Sequence, residues 1–498
     1  MSIQSFFHRF WPVKRLPRTS PCQDRVVVSL MQNTPVACVE PHYLSFSIDI
    51  SVLVGGYWWE GSQKIHKGLG ALRVPPINLN QKKLDQLVKA LGPAYLRVGG
   101  SEADKIHYFS SDEEGSLLLT KQIWDDLHEF IQRNHLKFTF TFKYGLFKRK
   151  EHGAWQGSEI QNLLEYTHNK GYQIDVCELG NELNAYWAFH GLTSQPKAQK
   201  LAADYARFIE QIRSNLPNCR ISGPGSAFWP RLGETIKPFS NITDKFLASL
   251  EHKLDIIDWH YYPFQSTRSP VRTRTATIQS VLSPDSLEDY VKYAQQLRTM
   301  RDKYQPQAML WTGETGSAQC GGQQKISDRF ASSFWWADQL GQGAVCGQSV
   351  MIRQSLIGGD YGLIDRLTLK PKPDYWMSWL WGKLMGQLVF PVTSSDKYVR
   401  VYCHRSQEKQ HTDNNGAGCY TLLIINMSDK TKLIDYSGFG VPHCCYELRA
   451  KKLTAKKVFI NGVRPKLKKG KLSLEDLPTL PITNEVAPYS INFWCFGD

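Results

Sequence analysis

The stretch Cys177-Glu178-Leu179-Gly180-Asn181-Glu182 decides the fold, because a short apolar run of strand character ends there in a turn that carries a carboxylate. A second stretch, Trp311-Thr312-Gly313-Glu314-Thr315, repeats this arrangement far along the chain. Two carboxyl groups suit displacement at a sugar carbon when one is neutral and protonates the leaving oxygen while the other is ionised and attacks. Only a fold that gathers distant strand ends can bring Glu182 and Glu314 together.

Working outward from these stretches, β-branched or aromatic runs alternate with longer amphipathic stretches, which is the pattern of parallel strands joined by helical crossovers. The predicted strands are 42–50, 94–98, 137–142, 174–179, 219–223, 254–260, 307–312 and 345–351. The predicted helices include 81–91, 121–134, 158–170, 199–215 and 285–304. The sequence therefore predicts an α/β fold with a (β/α)8 TIM barrel over residues 42–385.

In a barrel of this kind the carboxyl ends of the strands form the mouth, where the chemistry takes place. Glu182 follows the fourth predicted strand and Glu314 ends the seventh, so both side chains can converge there. A single glutamate after a strand is usually a solvated loop residue or a neighbour of a helix cap. The presence of two, at strand ends that flank the mouth, favours catalysis.

The pattern changes after residue 385 to short alternating strands with turn residues between them, including VRVYCH, YTLLIIN and SINFWCF. This predicts a C-terminal antiparallel β-sandwich over residues 386–498. Residues 23–41 also have strand character and are expected to pair with the sandwich. Residues 1–22 lack the uninterrupted apolar run of a typical signal peptide and are interpreted as a leader or disordered segment.

The chain of 498 residues carries a formal net charge of +14. Such an excess favours an anionic polysaccharide, nucleic acid or an anionic membrane surface as partner, although a basic surface can also serve solubility alone. No apolar run is long enough for a transmembrane helix, and no aromatic-basic motif for nucleic acid accompanies the charge. We therefore expect a polysaccharide partner, no nucleic acid, no membrane segment and a monomer.

The 11 cysteines form no CxxC or Cys/His spacing, and the sequence contains no Gly-rich phosphate loop or metal triad. We therefore expect no metal and no cofactor. The odd cysteine count argues weakly against a secreted disulfide framework, whereas the glycosylation triplets at Asn241 and Asn426 point weakly toward export. The compartment stays open between these alternatives.

Several segments, in order along the chain from about Gln23, resemble glycoside hydrolase family 79, the heparanase-like β-glucuronidases. They are YLSFSID, GPAYLRVGGSEAD, KGYQIDVCELGNELN, DIIDWHYY, LWTGETGSAQCGG, SDRFASSFWWADQLG, PDYWMSWLWGKLMG and VFING. The resemblance implies that Glu182 is the acid/base and Glu314 the nucleophile. It further implies substrate-contacting roles for Asp49, Ser101, Asn181, Arg231, His260, Tyr262, Arg268, Cys320, Gly321 and Tyr361.

The chemistry of these residues agrees with such roles. An arginine fork such as that of Arg231 or Arg268 binds sulfate or carboxylate oxygens in pairs, and the backbone N–H groups of Cys320 and Gly321 can bind a carboxylate. Purely structural roles stay open for some of these residues. Asp49 and Arg97 could form a buried ion pair, His260 could be a packed histidine, and Tyr361 could cap a turn.

The sequence departs from the family in two places. Animal members carry a long linker that is excised, whereas only Phe109 to Thr120 intervene here, so we expect a single-chain enzyme active without processing, as in microbial members. In the family, a tyrosine in the corresponding segment contacts a uronate carboxylate, but this chain has Gln319-Cys320-Gly321 there. The identity of the sugar therefore stays open. Gly313-Glu314 is intact, which favours an enzyme over a pure polysaccharide-binding protein.

The sequence thus predicts a retaining glycoside hydrolase that cleaves β-glucuronidic linkages, with its carboxyl groups about 5 to 5.5 Å apart. The positive charge favours endo action on a chain resembling heparan sulfate. An exo-β-glucuronidase and a catalytically weak heparan sulfate-binding protein are the alternatives.

Overall fold

A computed structural model describes residues 24–59, 65–66, 69–70, 72–111, 116–145, 154–237, 240–407 and 419–497. The leader assigned to residues 1–22 lies outside the described residues.

Eight parallel strands close into a barrel, which confirms the predicted (β/α)8 fold. In chain order they are Leu44–Asp49, Tyr95–Gly99, Lys137–Phe142, Val176–Leu179, Arg220–Trp229, Ile256–Tyr261, Met309–Thr315 and Val350–Arg353. Each pairs with its neighbour in sequence, and the eighth pairs with the first. Because both faces of the strands are covered, they consist of nearly continuous buried runs.

Two strands, the fifth and the eighth, differ most from their predicted bounds. The fifth continues to Trp229 and turns back into the short antiparallel strand Leu232–Gly233. The eighth begins at Val350, because Val345 still belongs to the preceding helix. That helix ends where Gly347 adopts a φ of 75°, a backbone conformation that glycine adopts without steric strain.

The barrel is covered by amphipathic helices whose apolar faces point at the strands. The main helices are Lys82–Leu91, Lys121–Arg133, Ser158–Asn169, Ala198–Asn215, Thr243–Ser249, Asp289–Tyr304, Phe330–Val345 and Pro373–Leu384. In the second, Thr120 caps the first turn by accepting a hydrogen bond from the N–H of Ile123, and Trp124, Leu127 and Phe130 are buried. No helix in the described part of the chain is both long and apolar enough to span a membrane.

Shorter elements lie between these helices and the strands. The short helices are Ile50–Val54, Tyr186–His190, Ile278–Val281 and Pro284–Leu287, and single 3-10 turns are Ser101–Lys105, Leu183–Ala185, Leu192–Ser194 and Leu474–Asp476. Two-stranded pairs join Gly56–Trp58 to Leu72–Val74, Ile65–His66 to Leu69–Gly70, and His107–Tyr108 to Leu118–Leu119.

Two sheets pack face to face beside the barrel. One contains, in spatial order, Ala37–Cys38, Met385–Phe390, Val399–Ser406, Tyr420–Asn426, Ser490–Phe496, Pro442–Arg449 and Phe459–Ile460. The other contains Val392–Ser394, Asp24–Leu30, Lys432–Asp435 and Glu485–Val486. Val26 and Ile434 from the second sheet pack with Leu422 and Trp494 from the first in one apolar core.

The sandwich departs from the expected antiparallel pattern at one pair. Asp24–Leu30 runs parallel to Lys432–Asp435, because these strands come from opposite ends of the chain. Parallel neighbours need a long connection rather than a hairpin, and the whole barrel supplies it.

Candidate active site

Glu182 and Glu314 lie together at the carboxyl edge of the barrel. Glu314 belongs to the seventh strand, and Glu182 follows the fourth strand with a left-handed φ of 52°. Both are largely buried, with 4% and 6% of their surface exposed. One carboxylate oxygen of each lies within 4.8 Å of the other residue's. The structure therefore brings the two glutamates together across a common space.

Gly313 is required beside Glu314 because another side chain approaches at that point. A Cβ atom added to Gly313 would lie 1.9 Å from Oδ1 of Asp258 on the neighbouring strand. The ladder between the sixth and seventh strands is irregular here, so that His260 lies opposite Glu314. The glycine thus lets the strands carry three polar side chains side by side.

Arg97 holds Glu314 from below. Its Nη1 donates to Oε2 of Glu314 at 2.7 Å, and its Nε and Nη2 donate to Oε2 of Glu178 at 3.1 and 2.9 Å. Nη2 also donates to Oδ1 of Asn181 at 3.0 Å. The hydroxyl of Tyr262 donates to the other oxygen of Glu314 at 2.6 Å. Charge-assisted bonds of this kind stabilise the ionised form of a carboxylate.

Glu178 is an ionised anchor beneath the site. Burial opposes its ionisation, but Arg97, His260 and the hydroxyl of Thr141 together lower its pKa to about 2. The Thr141 hydroxyl donates to Oε2 at 2.7 Å. Arg97 therefore forms ion pairs with Glu178 and Glu314, and the expected alternative of a pair with Asp49 is wrong.

His260 lies between two carboxylates. Its Nδ1 is 3.4 Å from Oε1 of Glu182 and its Nε2 is 3.7 Å from Oε1 of Glu178. Burial alone would lower the pKa of His260, but these two carboxylates raise it to about 10. The imidazole is therefore a cation that stabilises the ionised form of Glu182.

The pKa of Glu182 is nevertheless raised from its ordinary value. Burial is the largest cause, and the negative charge of Glu314 adds to it, while His260 and Arg97 oppose it. Two carboxyls in one site thus have different environments, since Arg97 and Tyr262 bind Glu314 directly. Such a difference in environment is characteristic of neighbouring carboxyl groups that take different roles in one site.

A cavity of about 280 Å³ opens above the pair. Seven of the twelve residues predicted from the sequence line it, namely Asp49, Ser101, Glu182, Tyr262, Glu314, Cys320 and Tyr361. Burial raises the pKa of Asp49 to about 8, and its side chain accepts a hydrogen bond from the N–H of Ser51 at 2.9 Å. Burial therefore favours the protonated form of Asp49, whose carboxyl forms part of the cavity wall.

The other five predicted residues lie outside the cavity wall. Asn181 and His260 are buried beneath it, and Arg231 is exposed in the turn after the fifth strand. Gly321 supports the wall next to Cys320, since a Cβ atom there would lie 2.2 Å from Cβ of Trp59. None of these four residues lines the cavity in this structure.

Arg268 requires a correction. It was expected to meet an anionic group of the substrate, but its side chain is 1% exposed. Its Nη1 donates to the carbonyl of Gly322 at 2.8 Å, and its Nη2 pairs with Oδ2 of Asp360 at 2.6 Å. The guanidinium therefore supports the loop that follows the seventh strand and does not face the cavity.

Two groups of residues at the site were not predicted from the sequence. Glu178 and Asp258 lie within strands that were interpreted only as apolar runs, although an acidic residue in a buried barrel strand was itself a signal. The second group is a set of tryptophans in the cavity wall, Trp58, Trp59, Trp187 and Trp229. Aromatic walls with a few converging polar groups are typical of ligand sites.

Two sets of side chains approach closely enough to hold a metal ion, Glu178 with Asp258 and His260, and Glu182 with His260 and Glu314. His260 belongs to both sets, and its raised pKa keeps it protonated near neutral pH. A protonated imidazole has no lone pair for a metal. In this structure the protonated imidazole forms ion pairs with Glu178 and Glu182, at 3.7 and 3.4 Å.

A closed (β/α)8 barrel with two buried carboxylates facing a cavity at its carboxyl edge is the arrangement expected of a glycoside hydrolase. The chain belongs to glycoside hydrolase family 79, because the profile described as "Glycosyl hydrolase family 79, N-terminal domain" matches residues 58–341, more than half of its length.

Individual relatives agree with this assignment. The chain is 26% identical to heparanase from Bos taurus over 522 residues, covering 94% of this chain and 88% of the bovine protein. It is 27% identical to a hyaluronoglucuronidase from Hirudo nipponia, covering 84% and 89%. Heparanase-like protein 1 from Arabidopsis thaliana is 28% identical, covering 71% of this chain and 66% of the plant protein.

Solved structures share the fold at lower identity. A 4-O-α-L-rhamnosyl-β-D-glucuronidase from Fusarium oxysporum has a TM-score of 0.65 at 15% identity, covering 94% of this chain and 99% of the other. A family 51 α-L-arabinofuranosidase from Bifidobacterium longum has a TM-score of 0.64 at 14% identity, covering 95% and 99%.

Proposed function

We propose that this chain is a retaining glycosidase that cleaves β-glucuronidic linkages within an anionic glycosaminoglycan. The observation that carries the proposal is the pair Glu182 and Glu314, whose nearest carboxylate oxygens lie within 4.8 Å. Inverting enzymes leave roughly 6.5 to 9.5 Å between their carboxyls to admit a water molecule, whereas retaining enzymes place them about 5 to 5.5 Å apart. The close pair therefore supports double displacement.

In the first step Glu314 attacks the anomeric carbon while Glu182 protonates the glycosidic oxygen. The raised pKa of Glu182 keeps a proton available for that transfer. Arg97 and Tyr262 hold the attacking carboxylate in place through bonds of 2.7 and 2.6 Å. In the second step Glu182 takes a proton from a water molecule, which displaces Glu314 from the sugar.

The choice of a glucuronide in a glycosaminoglycan rests on the family and on the relatives named heparanase and hyaluronoglucuronidase. The backbone N–H groups of Cys320 and Gly321 support recognition of a uronate carboxylate. Both residues have left-handed φ values, 55° and 78°, and successive N–H groups in such turns form concave anion sites.

The proposal is tested with Glu314→Gln and Glu182→Gln on an aryl β-glucuronide. We expect Glu314→Gln to abolish turnover and Glu182→Gln to lower kcat by about 10² to 10⁴-fold. Proton NMR of freshly released glucuronic acid should show the β anomer first. Glu40→Gln is the control, because Glu40 precedes the first strand at the opposite edge of the barrel. Wild-type binding to heparan sulfate without any cleavage would instead identify a binding protein.

An exo-β-glucuronidase is the second candidate, because the described cavity of about 280 Å³ is small for a long polysaccharide. The size of the products distinguishes endo action from exo action. Oligosaccharides released from heparan sulfate or hyaluronan mean endo action, whereas free glucuronic acid alone means exo action. An SDS gel of the active protein tests whether it works as a single chain; a requirement for cleavage into two fragments would contradict that expectation.

A further inference from the structure

Most of the positive charge lies away from the cavity. Among the described residues that line it, Lys105 is the single lysine or arginine, and it pairs with Glu102 at 2.6 Å. By contrast, the stretch from Arg449 to Lys471 contains ten lysines and arginines and no acidic residue, against a net charge of +14 for the whole chain. This basic segment is the feature that the proposed chemistry does not use.

One end of the basic segment lies at the same edge of the barrel as the glutamate pair. The carbonyls of Leu453 and Ala455 accept hydrogen bonds from the N–H groups of Ala331 and Phe330, at 2.9 and 3.0 Å. These two residues begin the helix Phe330–Val345, which follows the seventh barrel strand and therefore starts at the carboxyl edge. We call the exposed lysines of this end, Lys451, Lys452, Lys456 and Lys457, the basic arm.

A single loop connects the cavity to the basic arm. The loop 316–329 contributes Gln319 and Cys320 to the cavity wall, and its Asp328 lies 3.6 Å from Nζ of Lys456. The Lys456 side chain is still 67% exposed. A polysaccharide that leaves the cavity across this loop therefore reaches cations that are open to solvent.

We propose that the basic arm is a second binding site for the anionic polysaccharide, engaging the part of the chain that extends beyond the cavity. The inference rests on the proposed function for the identity of the ligand. Exposed lysines attract a polyanion at long range, and two linked sites raise the effective concentration of substrate at the cavity. The arm therefore acts on long chains and leaves small substrates unaffected.

The other end of the basic segment supplies a matched control. Lys466, Lys468, Lys469 and Lys471 are equally exposed, but the turn at Gly470 packs against Gln86, in the middle of the helix Lys82–Leu91. Lys469 and Lys471 line a groove of about 980 Å³ between the barrel and the sandwich. This cluster carries the same charge away from the loop that leads to the cavity.

The test compares the quadruple Gln variant of the basic arm with the quadruple Gln variant of the control cluster. We expect the arm variant to raise KM for long heparan sulfate about tenfold, with kcat/KM for an aryl β-glucuronide within twofold of wild type. In the control variant, KM for long heparan sulfate and kcat/KM for the aryl β-glucuronide should both stay within twofold of wild type. Equal losses in both variants, or no change in the arm variant, would overturn the proposal.

Binding is measured separately in the Glu314→Gln background, so that the arm is tested even if the enzyme turns over no glucuronide. The arm substitutions should weaken heparan sulfate binding and reduce its dependence on NaCl concentration. Duplex DNA is the comparison probe. If the arm substitutions weaken DNA binding but leave heparan sulfate binding unchanged, the surface is not a polysaccharide site.

Discussion

At the residue scale, His260 influences the protonation of Glu182. It is fully buried and faces Glu178 and Glu182, with Asp258 at 3.9 Å. Its positive charge opposes the burial that raises the pKa of Glu182. The histidine thereby limits how far the pKa of Glu182 rises, which suits the roles of acid and base that we propose for this residue.

We therefore predict that His260→Gln moves the basic limb of the pH profile. In the proposed mechanism activity requires protonated Glu182, so kcat/KM should fall as pH rises through the pKa of Glu182. Loss of the neighbouring cation raises that pKa, and the limb should move up by about one to three pH units. The measurement is kcat/KM against pH with an aryl β-glucuronide.

The control for this substitution is His404→Gln. His404 is also fully buried, but it lies in the sandwich, where its Nδ1 is 2.7 Å from the carbonyl oxygen of Gly386. It should change stability without moving the pH profile. An unmoved limb in His260→Gln, or a limb moved to lower pH, would show that His260 does not stabilise the Glu182 carboxylate.

The glutamate pair could be predicted from the sequence because each glutamate lies in a local signature at a strand end. The network beneath it could not, because it depends on neighbours in space. Arg97 reaches Glu178 and Glu314 only when the second, fourth and seventh strands close into a barrel. From the sequence, Arg97 could also pair with Asp49. Only the register of the strands determines that its partners are Glu178 and Glu314 instead.

At the element scale, the loop 316–329 links the seventh barrel strand, which carries Glu314, to the cavity wall. Gly321 has a φ of 78°, and a Cβ atom there would lie 2.2 Å from Cβ of Trp59. We predict that Gly321→Ala displaces Trp59 and lowers kcat/KM for an aryl β-glucuronide. It should also lower the free energy of unfolding by about 1 to 2 kcal/mol, because alanine is strained in the left-handed region.

Gly171→Ala separates the two effects. Gly171 has a similar φ of 67°, but a Cβ atom there meets nothing within 4 Å. We expect Gly171→Ala to lose stability in urea unfolding through backbone strain alone, and to leave kcat/KM unchanged. The contact with Trp59 would have no part in substrate binding if Gly321→Ala retained wild-type kcat/KM. The same would follow if Gly171→Ala reduced kcat/KM as much as Gly321→Ala does.

The elements themselves could be predicted from the sequence more readily than their ends. The alternation of strands and helices was readable because each apolar run is buried on both sides. Ends were harder to place, because residues such as Val345 are apolar in a helix and in a strand alike. Asp49 illustrates a further reason, since it ends the first strand by capping the helix Ile50–Val54 with its own side chain.

At the scale of the whole molecule, buried polar contacts join the barrel to the sandwich. Oδ1 of Asp338, on the helix Phe330–Val345, accepts hydrogen bonds from Nε of Arg400 at 2.9 Å and from the hydroxyl of Tyr402 at 2.6 Å. Asp338 is fully buried. The sequence indicated two structural units, but the contact between them depends on residues far apart in the chain.

Arg400→Met should destabilise the protein by about 3 to 5 kcal/mol, because it leaves the charge of Asp338 buried without its cation. Asp338→Asn combined with Arg400→Met removes both charges and should recover part of that loss. Lys397→Met is the control, since Lys397 and its partner Asp285 are 57% and 79% exposed at 3.3 Å, and such pairs contribute about 0 to 1 kcal/mol. Urea unfolding measures these three variants together with the single variant Asp338→Asn, which completes the double-mutant cycle. Equal effects of Arg400→Met and Lys397→Met, or a double variant whose loss is the sum of its single losses, would show that the charges at this interface are not coupled.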